Sequence, residues 1–136
     1  MNNKVRTDSY IPFAIEALKK SGIADENGNI NIAYRGQISS FGAAVAVGSF
    51  KQAVAFFALD AKNKDQNNGK DKINRSKLIS AIDFVIHRGK EDIKEPKTIS
   101  ENILKKSPEE LRQIENQYMD AAVALKAAMS IYNMEG

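Results

Sequence analysis

The sequence predicts an all-α protein, a single-domain bundle of about five to six helices over residues 1–136. Three observations carry that expectation. Apolar residues recur at spacings of three and four along several stretches, residues suited to helix capping stand at the head of some of them, and no strand-like alternation competes. A chain of 136 residues with 43% hydrophobic and 27% charged residues is long and apolar enough for one core.

The first periodic segment is expected to begin near Ser9, its hydroxyl capping a helix that carries Pro12 in its first turn. Tyr10, Phe13, Ala14, Ala17 and Leu18 then share a face, and Gly22 suits the left-handed residue that ends the helix. Asp25-Glu26-Asn27-Gly28-Asn29 is dense in turn residues. From about Asn31 a second helix places Tyr34, Ile38, Phe41 and Val45 on one buried stripe. Gly36, Gly42 and Gly48, with Ala43 and Ala44, are small enough to admit a close helix neighbour. Gly48-Ser49 marks a break, with Ser49 as the next N-cap.

The third segment, Phe50 to Leu59, is apolar around most of its circumference, Phe56 and Leu59 included, and is expected at the centre of the fold. The polar run at about 61–72 contains nothing to bury and reads as a mobile surface loop. A fourth helix from near Asn74 to His87 turns Leu78, Ile79, Ile82, Val85 and Ile86 inward, with Gly89 ending it. A charged connector follows at about 88–97, interrupted by Pro96. Thr98 with Glu101, and Ser107 with Glu110 behind Pro108, both fit the capping box. The last helix carries Leu111, Ile114, Tyr118, Ala121, Leu125, Ala128 and Tyr132 on one stripe, expected to pack inside the bundle, with a subunit seam as the alternative.

Catalytic chemistry finds little footing. There is no cysteine, which removes disulfides, thiolate nucleophiles and sulfur-ligated metals, and His87 is the only histidine. Asp83 and His87 share a helical face, but two ligands are too few for a metal, and a surface hydrogen bond near the helix C-terminus is expected instead. No phosphate-binding Gly-Lys-Ser/Thr loop occurs. The acidic pairs Asp25-Glu26, Glu91-Asp92 and Glu109-Glu110 fall where carboxylates are solvated or capping. Ser39-Ser40 has no adjacent base, so back-bonding to the preceding turn is expected. The reading is therefore no enzyme, no cofactor and no metal. MNNKVRTDSYIPF lacks the apolar core of a signal peptide, and no apolar stretch approaches the roughly 20 residues of a membrane-spanning helix, so a cytoplasmic location without a membrane partner is expected.

The net charge of +3 permits a polyanionic partner. Lys62, Lys64, Lys70, Lys72, Arg75 and Lys77 cluster around the polar loop, diluted by Asp60, Asp65 and Asp71. Without interleaved aromatics, such a cluster would hold nucleic acid by its backbone rather than its bases.

The stretch Tyr34-Arg35-Gly36-Gln37-Ile38-Ser39-Ser40-Phe41-Gly42-Ala43-Ala44, continued by Gly48 and by Ala53-Val54-Ala55-Phe56-Phe57, resembles the signature of the small subunit of the type III-B CRISPR (Cmr) effector complex. Tyr10-Ile11-Pro12 and Arg75-Ser76-Lys77-Leu78-Ile79 are similar to bacterial members of that family. The resemblance runs from about Arg6 to Ile86 and departs at Gly48-Ser49-Phe50-Lys51, where a leucine-rich turn is more usual. It implies an all-α, non-catalytic structural subunit for antiviral defence, whose copies line the interior of an RNA-guided complex. Its implied partners are other Cmr subunits, including the repeated backbone subunit, together with guide RNA, target RNA and further copies along the filament. Arg35 is carried over as an RNA-phosphate contact or inter-subunit ion pair, against a local salt bridge. Lys51, Lys72, Arg75 and Lys77 join it as nucleic-acid-binding candidates from charge clustering alone. The alternatives are the small subunit of a type III-A (Csm) complex and a free-standing helical adaptor or regulator.

Overall fold

The computed structural model describes residues 3–59 and 73–135. The expected polar loop, with Lys72 and the other lysines on it, lies outside the described residues. Six helices make up most of the described residues: α1 Asn3–Lys20, α2 Ala33–Val47, α3 Phe50–Leu59, α4 Ser76–Ile86, α5 Pro96–Leu104 and α6 Pro108–Met129. Two three-residue strands, β1 Asn29–Asn31 and β2 Asn133–Glu135, pair in parallel with Ile30 opposite Met134. The protein is an all-α bundle. Among the described residues no helix is long and apolar enough to cross a membrane.

α1 starts earlier than its residues suggest. Ser9 is not an N-cap, because its hydroxyl donates back to the Arg6 carbonyl (2.7 Å) within the helix, and Pro12 sits in the interior. Tertiary burial holds this helix through its proline: Tyr10, Ala14, Ala17 and Leu18 are sealed against α4 and α6, and the Arg6 guanidinium meets Asp120 of α6 at 2.6 Å. Gly22, at φ +83°, ends the helix as expected. Asp25 then organises the turn, accepting from the amides of Asn27 and Asn29 (2.9 Å each).

α2 buries Tyr34, Ile38, Phe41 and Val45, the expected stripe. Of the three glycines, Gly42 is the one that meets α6. A Cβ there would lie 3.5 Å from Met119 of α6, whereas Gly36 faces open space and Gly48 ends α2. The Ser49 hydroxyl accepts from the Gln52 amide (3.1 Å) and caps α3. Phe50, Ala53, Val54 and Phe57 of α3 are buried, but Phe56 and Leu59 stand half exposed, so α3 is not the central helix. That place belongs to α4, which is buried at every residue from Leu78 to Val85 because α1, α3, α5 and α6 all pack on it.

Gly89, at φ +72°, closes the turn after α4, preceded by Arg88 at φ +54°. Arg88 is held there by stacking over Tyr10 and by donating to the Ser9 hydroxyl (3.3 Å). α5 begins at Pro96, so Thr98 lies inside the helix and does not cap it; Pro at the first helical position costs no hydrogen bond. The Ser107–Glu110 capping box at the start of α6 is formed in both directions. Leu111, Tyr118, Ala121, Leu125 and Ala128 of α6 are buried within the bundle and Ile114 partly so, but Tyr132, expected on the same helix, lies past its end at Met129, where its hydroxyl donates to the Ile15 carbonyl at 2.9 Å.

Candidate functional site

The four described nucleic-acid-binding candidates occupy different corners of the fold. Arg35 is exposed on α2, where Ser39 back-bonds to its carbonyl and Lys126 of α6 donates to the Ser39 hydroxyl at 2.7 Å. Among the described residues Arg35 has no carboxylate partner for the alternative role, a local salt bridge. Two cations, Arg35 and Lys126, thus flank the same serine.

Lys51 has a structural engagement. Its Nζ donates to the Leu104 carbonyl at 3.2 Å, satisfying a backbone acceptor at the end of α5, where a cation also suits the helix dipole. Arg75 stacks over Phe56 (4.3 Å) and Phe57 (5.5 Å) of α3. The half-exposed Phe56 is therefore a platform for a guanidinium.

Lys77 points the other way, toward the end of α1. Its Nζ lies 3.4 Å from where a Cβ on Gly22 would stand, and it lines a cleft of about 310 Å³ with Lys20, Ser21, Asn74 and Lys94. Lys20 lies 5.9 Å over the Phe84 ring and meets Glu16 at 4.0 Å with both side chains about half exposed, a weak pairing. Lys20 was no sequence candidate, because it stands far from Lys77 in the chain and only packing of α1 on α4 brings them together.

The densest group of titratable side chains lies elsewhere, in a cavity of about 280 Å³ among α4, α5 and α6. Asp83 is only 8% exposed while the His87 side chain keeps 37% exposure, so the expected surface pair is buried on its Asp83 side. His87 Nδ1 approaches the Asp83 carbonyl at 2.9 Å and its carboxylate at 3.5 Å. A carbonyl only accepts, so that nitrogen carries the proton. Lys94 bridges Asp83 (3.9 Å) and Glu91, and Glu91 also lies 4.0 Å from His87 Nε2.

Burial pushes the Asp83 carboxyl above its usual range, against the opposing pull of His87 and Lys94. Lys94's hydrogen bond, aided by His87, lowers Glu91, and the same bond raises Lys94. Burial raises the Tyr118 phenol, with the nearby Asp83 charge adding to it. The group fastens the connector onto α4 by alternating charge. Among the described residues no three metal-ligating side chains are placed to hold an ion.

Comparison with family models, curated proteins and solved structures finds no match to this chain.

Proposed function

We propose that this protein is a non-catalytic structural subunit of an RNA-guided effector assembly, the small helical subunit of a type III-B CRISPR (Cmr) complex. In this role it stabilises the assembly and the guide–target RNA through backbone contacts that are indifferent to sequence, and it works in the cytoplasm without a cofactor. Cleavage belongs to other subunits, and sequence reading to the guide.

One observation carries the reading: the ordered motif from Tyr34 to Phe57, whose apolar members Tyr34, Ile38, Phe41 and Phe57 form core while Arg35 stands exposed, with no carboxylate partner among the described residues. A motif split in this way keeps its fold letters inside and offers its cation outward. Support also comes from the placement of Lys77 and Lys20 at one cleft. Lys51 and Arg75 enter the proposal with a lesser share, since Lys51 holds the end of α5 and Arg75 lies on Phe56.

The test is reconstitution with the other effector subunits, comparing the parent chain with Arg35→Glu and Lys77→Glu. Reduced guide or target RNA retention at equal subunit incorporation is expected, with a shallower dependence of binding on salt. Unchanged RNA retention by both variants contradicts the RNA-contact role, and failure to incorporate the parent chain contradicts the assignment to this complex.

A further inference from the structure

We propose that the cleft between the end of α1, the start of α4 and the connector at 93–96 is a phosphate-binding site built on Lys20 and Lys77. It rests on the reading above only in its choice of natural ligand, an RNA phosphodiester. The cleft itself is argued from the geometry.

Lys77 is the starting point. It is partly buried in this cleft, and among the described residues it has no carboxylate within ion-pair distance. An ammonium on a cleft wall with no counter-charge beside it among the described residues attracts an anion. A structural employment for it is already taken. The carbonyls at the end of α1 would attract a cation, but those of Ala17, Leu18 and Lys19 already accept from the amides of Ser21, Ala24 and Gly22 at 2.9 to 3.1 Å. Lys77 therefore lies across a closed turn without serving as its cap.

Lys20 supplies the second cation, paired weakly with Glu16 at 4.0 Å on a solvated face and lying 5.9 Å over the Phe84 ring, contacts that leave it near the cleft. Neutral groups complete the wall. Asn74 accepts from the Ser76 amide and hydroxyl through Oδ1, so the group its side chain has for a ligand is its amide N–H donor. Lys94 adds less than its charge suggests, since Glu91 and Asp83 hold it. Glu95 is the carboxylate on the lining and works against an anion on its side of the cleft. A cleft of about 310 Å³ accommodates a phosphate with its water. Two lysines without a planar fork recognise the anion as a point charge, which suits a backbone phosphate read without base preference.

The experiment is an amide-resonance titration of the whole chain at low salt, with inorganic pyrophosphate in one arm and a single-stranded oligoribonucleotide in the other. Both are expected to shift Ser21, Gly22 and Lys77, and Lys77→Glu and Lys20→Glu should each weaken them roughly tenfold, whereas Lys97→Glu on α5 should not. Lys77→Gln serves as a milder variant should the reversal disturb folding. An oligoribonucleotide bound more tightly than pyrophosphate, with a salt slope about one unit shallower in Lys77→Glu, identifies RNA as the source of the phosphate. Pyrophosphate binding alone identifies a free phosphate compound and leaves the site standing. Absence of shifts in both arms, or equal weakening by Lys77→Glu and Lys97→Glu, overturns the site. A chain that binds in the cleft but joins no effector assembly separates the failure of the functional reading from that of the site.

Discussion

Phe41 joins three helices, and its removal has a magnitude that can be worked out. The ring is fully buried on α2, edge-on to Phe57 of α3 (centroids 5.2 Å, interplanar angle 82°) and tilted against Tyr118 of α6 at 6.4 Å. Phe41→Ala removes the transfer energy of the ring and leaves a cavity that Gly42 and its small neighbours cannot fill, about 3–5 kcal/mol in such sites. Phe41→Leu keeps most of the apolar volume and loses the aromatic pairing, roughly 1–1.5 kcal/mol. With a urea slope of about 2 kcal/mol per molar, the alanine variant should shift the midpoint by about 2 M. The assay is urea unfolding followed by far-ultraviolet circular dichroism, with Phe56→Ala as control. Phe56 is 49% exposed, so half the burial of a phenylalanine puts that control at about 1 kcal/mol. A loss below about 1 kcal/mol for Phe41→Ala, or equal losses for the two alanine variants, would refute the placement of Phe41 at the helix junction.

Other outcomes follow from single residues. Because burial raises the folded-state value of Asp83 above that of the unfolded chain, its contribution is fully present below the ordinary carboxylate range and is lost as pH rises through the raised value. Asp83→Asn should therefore gain on the parent as pH rises above the ordinary carboxylate range in paired denaturation curves, and a difference independent of pH contradicts this. Ser107→Ala breaks the capping box of α6 and should cost about 1 kcal/mol, measured by thermal unfolding; no change means that α6 does not depend on its cap. Gly36→Ala meets open space inside α2 and should stabilise by up to about 1 kcal/mol. Gly22→Ala, forced to φ +83°, should destabilise by about 1–2 kcal/mol; the same sign for both would disprove the helix-end geometry.

Much of this architecture is legible in the sequence where a local rule decides. The stripe Tyr34, Ile38, Phe41 and Val45 follows from helical period alone, and Ser107 with Glu110 specifies a helix start through bonds within one turn. Legibility fails where distant packing decides. Ser9 and Pro12 carry the chemistry of a helix start, but burial of Tyr10 and the Arg6–Asp120 ion pair extend α1 back through them. The strands β1 and β2 are too short to show alternation and pair across the length of the chain. Phe56 and Leu59 look central by hydropathy, although α4 takes that position through neighbours on every side.

The candidate site divides in the same way. Charge clustering finds Arg75 and Lys77 but not that one stacks on an aromatic ring while the other turns into a cleft with Lys20. Asp83 beside His87 looks like a surface pair from spacing alone, and its burial depends on α5 and α6 closing over it.

The claim that the chain is a scaffold subunit of an RNA-guided assembly is tested most directly by affinity purification of the tagged protein from its native host, with mass spectrometry of its partners and sequencing of bound RNA. Co-purification of Cmr subunits with repeat-derived guide RNA is the expected result. Csm subunits in their place would move the chain to the type III-A complex, and recovery alone or with an unrelated partner and no guide RNA would contradict the account.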